Sequence, residues 1–332
     1  YVFSATTGQS YKAAKEKKNN KDEYMSFDTV IVDEAARAAP MDLLIVMVLA
    51  KRRIILVGDH RQLRHMIDDD IVQNSELNED KYIKESMFGY LKDRAIRLKE
   101  FDGIRREITL ENQYRTHPLL GKFISDNFYK KYNEQFNSPL GNIIGNIDNF
   151  FLQKLKGIEN IPAVWINIPN RYEETEPRSR VSEAKAIMIK LKEWIFSSEG
   201  NELDFGIITF YQDQVKAIEK ELKNTFTKKD IDGFKDRLKI GTVDSFQGME
   251  FDIVFLSTVK SRSLKSIKDD MKDYQLFGFV TSKSRLCVSM SRQKRSLIVV
   301  GDKEFFDTNR AKNDVEGLHN FLQLCKTKGI VI

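Results

Sequence analysis

Val30-Ile-Val-Asp-Glu-Ala35 sets two acids directly after a continuous apolar run. An Asp-Glu pair in that position suits a phosphate-cleaving site. The first carboxylate holds Mg²⁺, usually through water, and the second orients and deprotonates the attacking water. A plainer reading is equally open, in which two acids cap the next helix, where its dipole favours them. Further on, Val57-Gly-Asp-His-Arg-Gln-Leu63 supplies Gln62. Its amide can sense a γ-phosphate or position a water, and it also suits a loop glutamine in solvent. His60 and His65 are five residues apart without neighbouring ligands, so they read as loop histidines rather than a metal pair.

Four later clusters add chemistry. Gln113-Tyr-Arg-Thr-His-Pro118 places Arg115 just ahead of a helix start, suited to bidentate phosphate contact. Phe205 to Val215 ends a strand with a hydroxyl, an aromatic and amides (Thr209, Tyr211, Gln212 and Gln214). Gly241-Thr-Val-Asp-Ser-Phe-Gln-Gly-Met-Glu-Phe251 is a strand-to-turn element whose Gly248 allows close backbone approach to a ligand. In Ser284 to Lys294 a helix carries Arg285 and Arg292 seven residues apart, which predicts one shared face. Each cluster taken singly also fits a structural role: a capping proline, a core tyrosine, a tight turn, a basic helix face.

These residues need strands and helices to hold them. Phe27–Glu34 and Arg53–Gly58 read as strands buried on both faces of a parallel sheet, with a helix over Pro40–Leu49 between them. A mixed helical stretch over Ile83–Leu98 and another strand lead into Glu111. Strands are predicted over Ala163–Ile168, Phe205–Phe210, Leu238–Val243, Ile253–Val259 and Leu297–Gly301. Helices are predicted after Pro118 and over Glu183–Phe196, Tyr211–Lys223, Lys283–Ser291 and Val315–Lys326. Such alternation argues a doubly wound α/β fold. Tyr1–Ser4 reads as a strand end, Tyr11–Glu23 as a surface loop, and Lys131–Asn160 and Ser261–Tyr274 as looser segments.

Composition narrows the class. The chain has 332 residues, enough for roughly two domains. A hydrophobic fraction of 41% with six prolines excludes wholesale disorder. Two cysteines, Cys287 and Cys325, cannot staple a secreted scaffold or build a thiolate zinc site by themselves. No apolar run reaches the roughly 18 residues of a membrane helix, and no signal peptide opens the chain, so a soluble, intracellular protein is expected (cytoplasmic if bacterial). The net charge of +5 permits a nucleic-acid partner without demonstrating one.

The ordered series Asp-Glu-Ala-Ala, Gly-Asp-His-Arg-Gln-Leu, Gln-Tyr-Arg-Thr-His-Pro, Ile-Ile-Thr-Phe-Tyr-Gln-Asp-Gln, Thr-Val-Asp-Ser-Phe-Gln-Gly-Met-Glu and Arg-Leu-Cys-Val-Ser-Met-Ser-Arg resembles superfamily 1 helicases, over about Phe27 to Asp302. The likeness is greatest to the branch of the nonsense-mediated-decay helicase, senataxin and the Okazaki-fragment nuclease-helicase. The resemblance implies RecA-like P-loop NTPase folds, with residues 1–105 the C-terminal part of a first motor domain and 106–332 a complete second one. It implies ATP between the two domains, Mg²⁺ on Asp33, Glu34 as catalytic base and Gln62 as the coupling residue. Arg115 and Arg292 would be arginine fingers. Tyr114 would lie near the adenine, and Glu250 near the ribose or phosphates, with Gly248 and Arg285 also on the nucleotide. Thr209, Tyr211 and Thr242 would touch single-stranded DNA or RNA, and movement would be 5′-to-3′.

Two departures from the family pattern are Arg64-His65, where proline is usual, and Cys287 and Ser289, where Asn and Ala are common. No Gly-x-x-x-x-Gly-Lys-[Ser/Thr] occurs, since Gly121-Lys122 is followed by Phe. The phosphate loop is therefore expected before Tyr1, which makes the preceding portion of the same protein a partner and leaves this chain inactive alone. The alternative is a non-hydrolysing nucleic-acid-binding or scaffold module derived from a helicase.

Overall fold

The computed structural model describes residues 2–18, 21–63, 86–140, 151–170, 178–268 and 270–332. They form two compact units, Tyr1–Thr109 and Leu110–Ile332.

In the first unit, helix α1 (Thr7–Ala13) precedes an antiparallel pair, β1 (Lys15–Lys18) and β2 (Lys21–Tyr24). The surface loop expected over Tyr11–Glu23 is thus largely regular structure, because charged strands can pair through their backbones with no apolar period to announce them. Val2–Ser4 forms no strand, and Tyr1 lies outside the described residues. Strand β3 (Phe27–Val32) and strand β4 (Ala50–Leu56) pair in parallel, with Val30 opposite Ile54 and Val32 opposite Leu56. Helix α2 (Pro40–Met47) connects them and covers one face, where Val30 and Val32 pack with Leu43 and Val46. The expectation of cover on both faces fails: Ile31 is 65% exposed, and Ile54 and Ile55 are 41% exposed. An apolar run shows that a strand is hydrophobic, and the number of layers over it is a tertiary property.

Helix α3 (Met87–Asp102) is held at its start by Ser86, whose Oγ accepts the Gly89 N–H at 3.1 Å, and ends at Gly103 with φ +73°. The part of the expected helix at 83–85, together with Arg64 and His65, lies outside the described residues. The strand expected ahead of Glu111 is absent. Residues 103–111 form no strand, and Ile104, Ile108 and Leu110 are more than half exposed, so these apolar side chains are not drawn into a sheet among the described residues.

In the second unit, six strands form one parallel sheet: β5 (Ala163–Asn167), β6 (Phe205–Thr209), β7 (Leu238–Thr242), β8 (Phe251–Ser257), β9 (Gln293–Gly301) and β10 (Ile330–Val331). Their order is β10-β5-β9-β8-β6-β7. Helices flank the sheet. Helix α4 spans Pro118–Ile124, α5 Val181–Trp194, α6 Gln212–Thr225, α7 Lys228–Phe234, α8 Asp273–Phe277 and α9 Lys283–Ser289. Helices α10 (Lys303–Phe306), α11 (Asn309–Asp314) and α12 (Glu316–Lys328) complete it. The described part of 131–160 is mainly irregular, as expected, whereas 261–274 contains a short 3₁₀ turn and the start of α8.

The apolar stripes explain the packing. Ile187, Leu191 and Trp194 of α5 and Ile218 and Leu222 of α6 meet Ile207, Phe255 and Ile298 of the sheet. Trp165, on the opposite parity of β5, packs its ring 5.8 Å from that of Phe306. The sheet is therefore layered on both sides, and its residues of both parities are buried.

Candidate active site

The acid pair follows β3 at once. The Val57 N–H donates to Val32 O and the Ala35 N–H to Val57 O, both at 2.8 Å, so the two strand ends turn together. Between them Glu34 takes φ +51°, a left-handed conformation uncommon for a residue with a Cβ. Its N–H donates to Asp33 Oδ1 at 2.9 Å. The turn is seated on Gly58, where an added Cβ would come within 2.9 Å of the Ala36 nitrogen. The capping alternative does not hold: α2 starts at Pro40, its N-cap is Ala39, and the acid in its first turn is Asp42. Asp33 is an exposed carboxylate at a strand's carboxyl end, a hard oxygen donor of the kind Mg²⁺ takes alongside nucleotide phosphates.

Asp59 organises the next turn. Its carboxylate accepts the Arg61 N–H and the Gln62 side-chain amide, each at 2.9 Å. Gln62 is therefore held by a carboxylate, unlike a glutamine loose in solvent. His60 Nε2 lies 3.4 Å from Lys92 Nζ.

In the second unit a group of charges gathers at the amino ends of β8 and β9. Arg115 Nε is 2.9 Å from Glu250 Oε2, and Lys294 Nζ is 3.3 Å from Glu250 Oε1. Gln113 shapes the arginine's loop: its Oε1 accepts the Arg115 and Thr116 N–H groups at 2.9 Å, and its Nε2 donates to Thr116 O. Gly121 leaves room for it, because a Cβ there would sit 2.7 Å from Gln113 Nε2. Backbone bonds tie the same loops together, from His117 N–H to Lys294 O at 2.8 Å and from Phe251 N–H to Arg292 O at 2.9 Å. Burial works against ionising Glu250, but the bonds from Arg115 and Lys294 outweigh it and hold its carboxyl below the ordinary value. Gly248 takes φ +78° just ahead of this turn, and Tyr114, next to Arg115 in the chain, is 57% exposed.

Arg292 is placed differently from an exposed finger. It is 1% exposed, and its guanidinium donates to Val288 O at 3.1 Å, Met249 O at 3.4 Å and Ser291 Oγ at 2.8 Å. It braces the turn that carries Glu250. The shared helix face expected for Arg285 and Arg292 does not form, because α9 ends at Ser289 and Arg292 lies just ahead of β9. Arg285 instead reaches Asp244 at 3.4 Å and lies 4.9 Å from the Phe279 ring centroid.

At the opposite, carboxyl ends of the strands, the residues expected to touch a single strand are mostly inside. Thr209 is fully buried and its Oγ1 has no partner among the described residues, since β6 is a central strand covered on both faces. Tyr211 is 5% exposed. Its ring stacks on Phe279 at 5.3 Å, Lys260 Nζ stands 5.0 Å from its centroid, and its hydroxyl accepts the Phe279 N–H. Thr242 is half-buried at the end of β7. What this edge offers outward is cationic. Burial lowers the Lys260 pKa, and the charges of Arg262 and Arg178 lower it further.

Sequence reasoning missed Lys260, Lys294 and Glu183, and did not foresee that Gln214 would be buried in one hydrogen-bonded group with Glu183. Glu183 is fully buried, and burial pushes its carboxyl up against the pull of Arg180. A signal existed: Glu183 lies four residues before Ile187 on the apolar stripe of α5, and Gln214 four before Ile218 on that of α6.

A profile described as AAA domain matches residues 83–304, and a second of the same description matches residues 6–69. The chain belongs to this AAA-domain family. Within it the chain is a superfamily 1 helicase relative of the Upf1 and Sen1 type. It is 28% identical over 280 residues to the Regulator of nonsense transcripts 1 homolog of Neurospora crassa, covering 84% of this chain and 23% of that protein. Helicase sen1 of Schizosaccharomyces pombe is 28% identical, over 86% of this chain and 15% of its own length. ATP-dependent helicase upf1 of the same yeast is 26% identical, over 92% and 29%. The chain thus spans less than a third of each of these relatives. Among the described residues no helix is long and apolar enough to cross a membrane.

Proposed function

We propose that the protein containing this chain is an ATP-dependent helicase or translocase acting on single-stranded DNA or RNA, with 5′-to-3′ movement. The observation that carries the reading is the convergence of Arg115, Glu250, Lys294 and the Arg292 brace, brought from three distant loops to one turn. In this reading Asp33 holds Mg²⁺, Glu34 takes the proton of the attacking water, and Gln62 senses the γ-phosphate. Arg115 and Arg292 serve the developing phosphoryl charge, Tyr114 and Arg285 the base and ribose side, and Gly248 and Glu250 the turn that meets the nucleotide. The first unit is the C-terminal part of one RecA-like domain and the second unit is another. Lys260, Arg262 and Arg178 contact phosphodiester groups, taking the part first given to Thr209 and Tyr211, with Thr242 beside them. The burial of Arg292 favours a second reading, a non-hydrolysing binding module.

Phosphate release by the full-length protein with and without a single-stranded oligonucleotide separates the two. Stimulated release supports the motor, and strand binding without release supports the module. The 332-residue chain alone, having no Gly-x-x-x-x-Gly-Lys-[Ser/Thr] sequence, is expected to release phosphate negligibly.

A further inference from the structure

Val259 is β-branched yet takes φ +66°, two residues past the end of β8 and directly before Lys260. Such a residue rarely enters the left-handed region unless its surroundings force it there. Thr258 is tied to Val300 O, and the bond to Val259 itself comes from one carboxylate. Glu183 Oε2 accepts the Val259 N–H at 3.0 Å and the Ser257 hydroxyl at 2.6 Å. Its Oε1 accepts from Arg180 Nη1 at 3.3 Å, with a longer contact of 3.4 Å from the Thr258 hydroxyl. Gln214 extends the chain of bonds: its Nε2 donates to Ser257 Oγ at 2.9 Å and to Arg180 O at 3.1 Å, and its Oε1 accepts the Arg180 N–H. A carboxylate taken fully out of water is unfavourable unless its lone pairs are used. Here they are used on the strained residue itself, on the two residues before it and on Arg180. Beyond the turn, Lys260 Nζ reaches the face of the Tyr211 ring. Gly278 makes the room, because a Cβ there would lie 2.2 Å from the Tyr211 hydroxyl and 2.9 Å from Lys260 Cε.

We infer that Glu183 is a positioning residue for Lys260: its carboxylate fixes the left-handed turn at Val259 and so sets the lysine where it meets a phosphodiester. The inference rests on the reading of this edge as the single-strand contact surface. A plain core role would make Glu183 matter for folding and leave Lys260 where it is.

Two measurements on the 332-residue chain test it. One is the NMR ring-current displacement of the Lys260 methylene signals by Tyr211. The other is fluorescence anisotropy with a short labelled oligo(dT) across a salt series. Glu183→Gln is expected to remove the displacement, and, as is expected also of Lys260→Ala, to weaken oligo(dT) binding several-fold and flatten the salt dependence by about 0.7, the share of one phosphate. Adding Val259→Gly to Glu183→Gln is expected to restore both readouts, because glycine takes the turn unaided. Lys260 signals unchanged by Glu183→Gln, or no restoration by Val259→Gly, would overturn the inference. Should Glu183→Gln not fold, Ser257→Ala removes one arm of the clamp and is expected to move the Lys260 signals the same way; unmoved signals would again overturn it. If the wild type binds no oligo(dT), the strand-surface reading fails, and the ring-current readout still decides what Glu183 does.

Discussion

Arg115 and Glu250 meet at 2.9 Å across 135 residues of sequence, joining the loop ahead of α4 to the turn ahead of β8. With Lys294 on the other carboxylate oxygen, Glu250 lies between two cations. In the proposed motor a nucleotide phosphate would compete with this carboxylate for Arg115, and the pair would keep the arginine extended and oriented until that stronger anion arrives.

The titration of Glu250 reports that arrangement. Burial raises its pKa, the bonds from Arg115 and Lys294 lower it more, and the balance lies below the ordinary 4.5. A depressed folded pKa gives a contribution that is present above the unfolded value and lost as pH falls through the folded one. The Glu250 side-chain carbon, followed by NMR, should titrate below 4.5 in the wild type and move upward in Arg115→Ala. An unchanged midpoint in Arg115→Ala would show that the pair does not persist in solution.

The two arginines should separate by what else they do. In the full-length protein Arg115→Ala is expected to lower strand-stimulated turnover by about 10³-fold with little effect on melting, since this side chain is exposed. Arg292→Ala should lose turnover and also about 1–3 kcal/mol of stability, because the Val288 and Met249 carbonyls lose their donor. The double variant should fall well short of the product of the two losses if both serve one transition state. Near-normal turnover in Arg115→Ala would remove its role on the phosphate.

Trp194 anchors the core of the second unit. Its indole stacks 5.8 Å from Phe255, and its Nε1 donates to Lys156 O at 3.1 Å. Trp194→Ala should cost about 3–5 kcal/mol, and calorimetry should place its melting on the order of 10 °C lower. A shift of only a degree or two would mean that the α5 face of the sheet is loosely packed.

Much of this is legible in the sequence for a physical reason. Strands β5, β6, β8 and β9 are covered on both faces, and an uninterrupted apolar run as short as Phe205–Thr209 fits a strand held between two layers. The acid pair after Val32 and the arginine ahead of Pro118 stand where their neighbours predict. What escapes depends on the third dimension. Thr209 ends a strand, and that alone does not show that helices close over it. Tyr211 in a polar stretch looks available, and only the fold brings Phe279 and Lys260 against its ring. Glu183 breaks an apolar stripe, a visible anomaly, but its partners Ser257 and Val259 lie more than seventy residues away. The pairing of β1 with β2 rests on backbone bonds, which hydrophobic periodicity does not report.

The most direct measurement concerns Glu34, held at φ +51° beside Asp33 at the end of β3. In the full-length protein, ATP binding and single-strand-stimulated phosphate release should be compared between the wild type and Glu34→Gln. Stimulated release is expected from the wild type. In the variant, ATP binding should persist while release falls by orders of magnitude, because an amide cannot take the proton of the attacking water. Equal stimulated release by both proteins would contradict the role of Glu34 as the base of an ATP-driven motor.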